Sequence, residues 1–160
     1  MSAVPVAAVA VKPLLVIAWG NRSRGDDALG PLFLDALRAA LSPTQAQRVE
    51  LIEEHQLQPE LALDLAGRER VLLADAAPDA PVPFEARAVQ AQRDASLTSH
   101  ALSPAALLAV CAELRIPAPP VTLLALHACA FGLGVPLSAA AAAALPAAVV
   151  FAQRWVDGKA

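Results

Sequence analysis

The chain alternates between short, uniformly apolar runs and longer segments in which apolar residues recur every three or four positions. The short runs are typical of strands buried on both faces of a sheet, and the longer spacing is typical of helices with one buried face. Five strands are predicted, at residues 14–19, 49–53, 70–75, 84–89 and 121–126. Helices are predicted from Asp26 and Asp27 to about Leu41, between Pro59 and Gly67, over 103–115 and over 137–155. Pro146 is expected to kink or split the last of them.

Strands that alternate with helices in this way predict a mostly parallel sheet covered on both faces. The expected fold class is α/β, a three-layer α/β/α sandwich with a twisted sheet of about five strands. At 160 residues the chain fits one domain with a sizeable core. We expect a single domain over residues 1–160, in which residues 1–12 form a loose arm.

Composition and charge disfavour several classes of protein. The aromatic content is 4% with no tyrosine, and the net charge is −3, which argues against a nucleic-acid binder. No Asp, Glu, Lys or Arg occurs from Ile116 to Gln153, but prolines and glycines divide this segment into pieces too short to span a membrane. Cys111 and Cys129 are too few for a disulfide framework and are expected to be free thiols. We therefore expect a cytoplasmic protein that binds neither nucleic acid nor membrane.

The turn after the first strand has glycines at the spacing of a phosphate-binding loop, but it ends in two acids. Gly20 and Gly25 reproduce the start of G-x-x-x-x-G-K-S/T, and Asp26 and Asp27 stand in place of the lysine and the hydroxyl. Two carboxylates repel phosphate and attract a cation. This disfavours a flavodoxin-like domain that binds a small molecule, a reading that the fold pattern alone would allow.

Further polar residues are predicted at the same edge of the sheet, because ligands of open α/β sheets bind outside the carboxyl ends of the strands. Asp75 ends the third strand, and His100 lies just ahead of a helix. Together with Asp27 they form a mixed oxygen and nitrogen set that suits a divalent transition metal. Helix capping by Asp26 and Asp27, a turn role for Asp75 and a loop role for His100 are the alternatives.

Two more histidines are candidates for chemistry. His55 ends the second strand and is expected near the same cleft. His127 lies two residues before Cys129, which raises the alternative of a Cys/His nucleophile, although the sequence places no third, orienting group. No serine lies in a G-x-S-x-G motif, so a serine hydrolase has no support.

Three segments in order, VIAWGNRSRGDDALG, VLLADA and SHALSPAALLAV, resemble the hydrogenase maturation endopeptidases. The pattern of that family is a G-x-G-N turn, a D-D/E-x-x-G helix start, a strand ending in D-A, and a histidine before a leucine-rich helix. The resemblance covers about residues 14–145. It implies an endopeptidase that recognises nickel in the precursor of a nickel-iron hydrogenase large subunit and removes its C-terminal extension, which completes maturation of the active site.

The same resemblance implies roles for individual residues. Asp27, Asp75 and His100 stand where the family carries its nickel ligands, and Asp27 and Asp75 are the predicted catalytic carboxylates of an aspartyl-type endopeptidase. Nickel is expected on the substrate and not as a permanent cofactor. Attack by a water that a carboxylate activates and attack on a metal-polarised carbonyl both stay open. The residues predicted to bind the substrate are Asn21, Asp26, Glu53, His55 and Gln56.

The chain departs from the family pattern at three places. Ala18 replaces the first glycine of the G-x-G-N turn, EEHQ replaces a D-G-G-T loop after the second strand, and HACAFGLGVPLS follows the last strand where many members have a proline and a glutamate. The segment HQLQPELA resembles the subgroup that processes soluble, NAD-reducing hydrogenases. The alternative is a non-catalytic protein of the same fold that docks the precursor or chaperones nickel, supported only by the altered glycine loop.

Overall fold

The computed structural model describes residues 10–98 and 101–160, and the strands of this part form one five-stranded sheet. The strands are β1 Leu14–Trp19, β2 Val49–Glu54, β3 Arg70–Ala77, β4 Phe84–Ala88 and β5 Val121–His127. Their order is β2-β1-β3-β5-β4, and all neighbours are parallel except β4, which is antiparallel to β5. The predicted mostly parallel sheet is confirmed. Most of the expected N-terminal arm lies outside the described residues.

Five α-helices connect these strands or follow them within the described part of the chain. They are α1 Leu29–Ala40, α2 Pro43–Arg48, α3 Ala62–Leu65, α4 Pro104–Glu113 and α5 Ala139–Val156. Short 3-10 helices occur at Gly25–Ala28, Pro59–Leu61 and Ala95–Thr98. The apolar pattern missed α2 because that helix has no buried residue. Its signal was local, since Ser42 and Gln45 form a capping box at its start.

Successive side chains of the central strands point into two different hydrophobic clusters. Leu14 and Val16 of β1 belong to a cluster that includes residues of α1 and α5. Leu15 and Ile17 belong to a second cluster that includes residues of α3 and α4. Because both faces of the sheet are covered by helices, the predicted three-layer α/β/α arrangement is confirmed.

The ends of two strands, β3 and β4, bear on the position of the candidate site. β3 continues for two residues beyond Asp75. β4 pairs Ala88 with Thr122 near the start of β5, so the chain leaves β4 at the edge opposite the carboxyl ends of the parallel strands. The sequence argument that the loop after β4 brings His100 to the edge where ligands bind therefore does not hold. His100 itself lies outside the described residues, and the described chain that follows it continues into α4.

Helix α5 continues through Pro146, so the prediction that this proline splits the helix is wrong. Pro146 and Ala142 are both exposed, which leaves the unpaired carbonyl of Ala142 to water. Ala144 and Ala148 are buried on the opposite side, and the helix packs against α1 and β5. Packing of this face holds the helix together where proline removes a hydrogen bond.

The continuity of α5 also changes the expectation about membrane spans. Among the described helices, α5 is long and apolar enough to cross a membrane by length and composition alone. The sequence argument that prolines cut this region into pieces too short therefore fails at Pro146. A core helix passes the same test of length and composition.

Replacing Pro146 with alanine should restore the missing hydrogen bond to Ala142. We expect Pro146→Ala to raise the free energy of unfolding by about 1–3 kcal/mol, measured by urea denaturation. Pro43 is the matched control, because it is exposed and occupies the first turn of α2, where proline is tolerated. A gain at Pro43→Ala equal to that at Pro146→Ala would contradict the explanation.

Candidate functional site

The turn after β1 is pressed against the end of that strand, and two glycines make this close approach possible. Gly20 has a φ of +148°, and a Cβ there would lie 1.9 Å from the backbone oxygen of Asp27. A Cβ at Gly30 would lie 2.2 Å from the backbone oxygen of Trp19. Glycine at these positions therefore lets the acidic turn and α1 sit directly over the carboxyl end of β1.

Asp26 is completely buried and holds the turn to a distant loop. Its Oδ2 accepts hydrogen bonds from the backbone N–H groups of Cys129 and Ala130, at 2.8 and 3.1 Å, and from the Ser138 hydroxyl at 2.7 Å. Its Oδ1 accepts from the Ser138 N–H at 2.7 Å. Burial raises the pKa of this carboxyl, but these hydrogen bonds outweigh burial and lower the pKa to about 2.

This placement argues against the predicted contact of Asp26 with substrate. The side chain has no exposed surface, and both of its oxygens are engaged within the protein. It is not the cap of its own helix either, because its donors come from the loop after β5 and from Ser138, the N-cap of α5. Asp26 is a structural residue that fixes the position of its neighbour Asp27.

Replacing Asp26 should destabilise the protein strongly. Asp26→Asn puts an amide against donors that need an acceptor, and we expect a loss of about 2–4 kcal/mol in the free energy of unfolding at pH 7. Asp35→Asn removes an exposed carboxylate and should cost less than about 1 kcal/mol. Because the folded pKa of Asp26 is depressed, its contribution should be present above pH 4 and lost as pH falls towards 2. Equal losses in the two variants in urea denaturation would contradict this assignment.

Asp27 is held in a defined position beside the end of β1. Its Oδ2 accepts a hydrogen bond from the backbone N–H of Asn21 at 3.0 Å. The side-chain oxygen of Asn21 in turn accepts from the N–H of Ser23 at 2.8 Å, which stabilises the turn. Asn21, predicted to bind substrate, thus helps to orient Asp27 and also lines an adjacent cleft.

Asp75 approaches the same place from β3. It lies on the same side of the strand as Val71 and Leu73, which pack in the α3 and α4 cluster. Burial, assisted by repulsion from Asp27, raises the pKa of Asp75 to about 7. The N–H of Ala76 and the indole of Trp19 act in the opposite direction and lower this pKa. The structure therefore brings the carboxyls of Asp27 and Asp75 close enough to repel each other.

His100, the third predicted ligand, lies outside the described residues, and its part in the site stays a prediction. Among residues 10–98 and 101–160, no group of three His, Cys, Asp or Glu side chains is arranged to hold a metal ion. Leu102, two residues after His100, is buried in the cluster that also contains Trp19 and Leu73. The chain next to His100 therefore packs on the face of the sheet towards which Asp75 points.

The raised pKa of Asp75 predicts a stability that falls as pH rises. Between the unfolded value near 4 and the folded value of about 7, the folded state holds a proton that the unfolded state has lost, so deprotonation favours unfolding. Asp75→Asn cannot ionise. In urea denaturation, we expect the difference in free energy of unfolding between Asp75→Asn and the parent protein to shift in favour of the variant. The shift should be about 1 kcal/mol per pH unit between pH 5 and 7. Glu85→Gln, an exposed carboxyl on β4, should show no such gain.

A cleft of about 480 Å³ lies at the ends of β1 and β2, next to the turn in which Asn21 donates its N–H to Asp27. Its lining includes Asn21, Glu53 and His55, all predicted to bind substrate, and also Glu54, which was not predicted. The predicted residue Gln56 does not line it. The sequence offered a signal for Glu54, since it lies between two predicted residues at the end of a strand.

Glu53 is not free in this cleft, because Arg22 binds it. The Arg22 guanidinium donates to both carboxylate oxygens of Glu53, at 2.7 and 2.8 Å, and to both of Asp35, at 2.8 and 3.0 Å. This arginine lowers the pKa of both acids. The pairs are exposed, so their role is to orient the outer wall of the cleft and add little stability.

The structure gives no support to a Cys/His nucleophile. The Nδ1 of His127 forms a hydrogen bond of 2.8 Å with the carbonyl of Ala80. Cys129 is an exposed free thiol, and within the described part of the chain no hydrogen bond joins it to His127. The backbone N–H of Cys129 is the group that is used, as a donor to Asp26.

Comparison with known proteins identifies solved structures with a similar fold. No protein-family model matches the chain, and no curated protein matches it. Solved structures do match over nearly the whole length. The hydrogenase maturating endopeptidase HybD from E. coli is 22% identical, with a TM-score of 0.67 over 91% of this chain and 93% of that one.

Two archaeal structures show the same likeness. The NiFe hydrogenase maturation protease HycI from Thermococcus kodakarensis is 19% identical, with a TM-score of 0.66 over 91% of this chain and 93% of its own. The hydrogenase 2 maturation peptidase from a Thaumarchaeota archaeon is 24% identical, with a TM-score of 0.65 over 93% of this chain and 100% of its own. At these identities the likeness shows the fold, which is that of the hydrogenase maturation endopeptidases.

Proposed function

We propose that this protein is an endopeptidase that recognises nickel in the precursor of a nickel-iron hydrogenase large subunit and removes the C-terminal extension. The observation that carries the proposal is the pair of carboxyls that repel each other, Asp27 in the turn after β1 and Asp75 on β3, with an open cleft next to the same turn. The fold shared with hydrogenase maturation endopeptidases over more than nine-tenths of this chain supports it.

Nickel on the precursor is a reasonable partner for this pair on electrostatic grounds. Two carboxyls that repel each other gain from a cation between them, and oxygen ligands with one imidazole suit a divalent transition metal. Asp27, Asp75 and His100 are the ligands that we assign to the substrate's nickel. The metal belongs to the substrate in this proposal, so the protein needs no permanent metal of its own.

We assign the attack on the peptide bond to the same carboxylates. A carboxylate that acts as general base takes a proton from a water molecule, whose oxygen then bonds to the carbonyl carbon. As the C–N bond breaks, that proton passes to the leaving nitrogen. The hydrogen bond from Asn21 holds Asp27 in a fixed orientation for this role.

The cleft next to the turn of Asp27 is where we place the precursor tail. Asn21, Glu54 and His55 line it with hydrogen-bonding groups, and Arg22 keeps Glu53 at its outer wall. Gln56 stands beyond the lining and is assigned no contact. The two free cysteines agree with a reducing compartment, and we place the reaction in the cytoplasm.

The proposal is tested by mass spectrometry of a nickel-loaded large-subunit precursor incubated with this protein. We expect loss of a C-terminal peptide only when nickel is present. Asp27→Asn keeps an acceptor for the N–H of Asn21 but removes the charge, and it should slow processing by about a hundredfold or more. Glu85→Gln removes an exposed carboxylate on β4, away from the cleft, and should process at nearly the parent rate.

Two outcomes would contradict the proposal. Processing that Asp27→Asn leaves unchanged would remove this carboxylate from the chemistry. Stable binding of nickel-loaded precursor with no change in its mass would favour a docking or chaperone protein.

A second experiment tests the subgroup that the segment HQLQPELA resembles. Precursors of soluble NAD-reducing hydrogenases and of other hydrogenases are incubated with this protein side by side, and the extent of processing is compared.

A further inference from the structure

The loop between β5 and α5 exposes apolar side chains at the edge of the sheet that carries the candidate site. Residues 132–136 of this β5–α5 loop read GLGVP, and all five are exposed. Leu133 is 70% exposed and Val135 is 41% exposed. Large apolar side chains exposed close together on a protein surface are typical of a site that contacts another molecule.

The exposed side of α5 continues this surface without a charge. Its exposed positions within residues 139–147 hold only alanine and proline, whereas α1 exposes Asp35 and Arg38. The outer face of a surface helix generally carries charged and polar residues. The β5–α5 loop and the start of α5 therefore present a stretch of surface that a partner can cover without removing water from a charged group.

Hydrogen bonds fix the backbone of the β5–α5 loop to the turn after β1. The N–H of Gly134 donates to the Ser23 carbonyl at 2.8 Å, and the N–H of Asp26 donates to the Ala130 carbonyl at 2.6 Å. The two segments are in close contact, because a Cβ at Gly25 would lie 2.3 Å from the Ala130 oxygen. The apolar side chains of the loop are therefore presented on a fixed backbone, next to the turn that carries the candidate carboxylate.

The order of the strands places the cleft and the β5–α5 loop on opposite sides of the two carboxyls. The cleft lies at the ends of β2 and β1, the turn after β1 carries Asp27, and β3 carries Asp75. β5 lies next to β3 on the side away from β1. A folded protein whose tail occupies the cleft and reaches the carboxyls therefore has further surface that faces the β5–α5 loop.

We propose that the β5–α5 loop is a docking surface for the large-subunit precursor, which contacts it through an apolar patch beside the C-terminal tail. The inference deepens the proposed function and rests on it for the identity of the partner. Because the loop is already fixed, little conformational freedom is lost when it binds. Leu133 and Val135 are not metal ligands, so this contact contributes equally to binding of nickel-loaded and nickel-free precursor.

Surface plasmon resonance with nickel-free precursor measures the contact without cleavage. Leu133→Ser removes exposed apolar surface, and we expect it to raise Kd by about tenfold. Leu114→Ser is the matched control, because Leu114 is a 54% exposed leucine that follows α4 and precedes the start of β5, at the opposite edge of the sheet. It should leave Kd unchanged. In processing of nickel-loaded precursor, Leu133→Ser should raise KM by a similar factor and leave kcat near the parent value.

Three outcomes would overturn the docking role. The first is a Kd for Leu133→Ser equal to that of the parent or of Leu114→Ser. The second is a parent dimer that Leu133→Ser converts to a monomer in sedimentation velocity, because a second copy would then cover the loop. The third is a parent protein that binds neither form of the precursor, which would contradict the proposed function as well. If the parent binds precursor but leaves its mass unchanged, the proposed proteolysis fails, while the Kd comparison still decides the role of the loop.

Discussion

The buried carboxylate of Asp26 joins the two loops on which the candidate site depends. An ionised side chain without contact to water is stable only when hydrogen bonds replace its hydration, and four donors do so here. The donors belong to Cys129, Ala130 and Ser138, more than 100 residues along the chain. The turn after β1 therefore takes its shape only when β5 and the start of α5 are in place.

Neighbouring acids acquire opposite properties from their surroundings. Asp26 is surrounded by N–H and O–H donors, which lower its pKa, and it serves the structure. Burial and the nearby carboxyl of Asp27 raise the pKa of Asp75. Asp27 follows Asp26 directly in the chain, and its side chain accepts a hydrogen bond from the Asn21 N–H and repels Asp75. The same residue type thus supplies both the support of the candidate site and the two carboxyls to which we assign its chemistry.

The apolar pattern predicted β1, β3 and β5 closely, because a strand buried on both faces needs a continuous run of apolar residues. The pattern failed in two helices in which burial and local sequence signals give different predictions. Helix α2 buries nothing and was missed, although its capping box is readable in the sequence. Pro146 was expected to kink or split α5, but the helix is not split, because packing of the alanine face outweighs the lost hydrogen bond. Local rules were overridden by contacts with the rest of the fold in that helix.

The sequence by itself determined the α/β class, the order of the strands along the chain, and the glycine and aspartate pattern of the turn after β1. These features follow from local spacing and from sterics within a few residues. Only the tertiary structure decided which aspartate is buried, that Arg22 binds Glu53, and that β4 runs antiparallel. Each of these depends on which distant donors, charges and strands meet a residue, and spacing along the chain carries no information about such encounters.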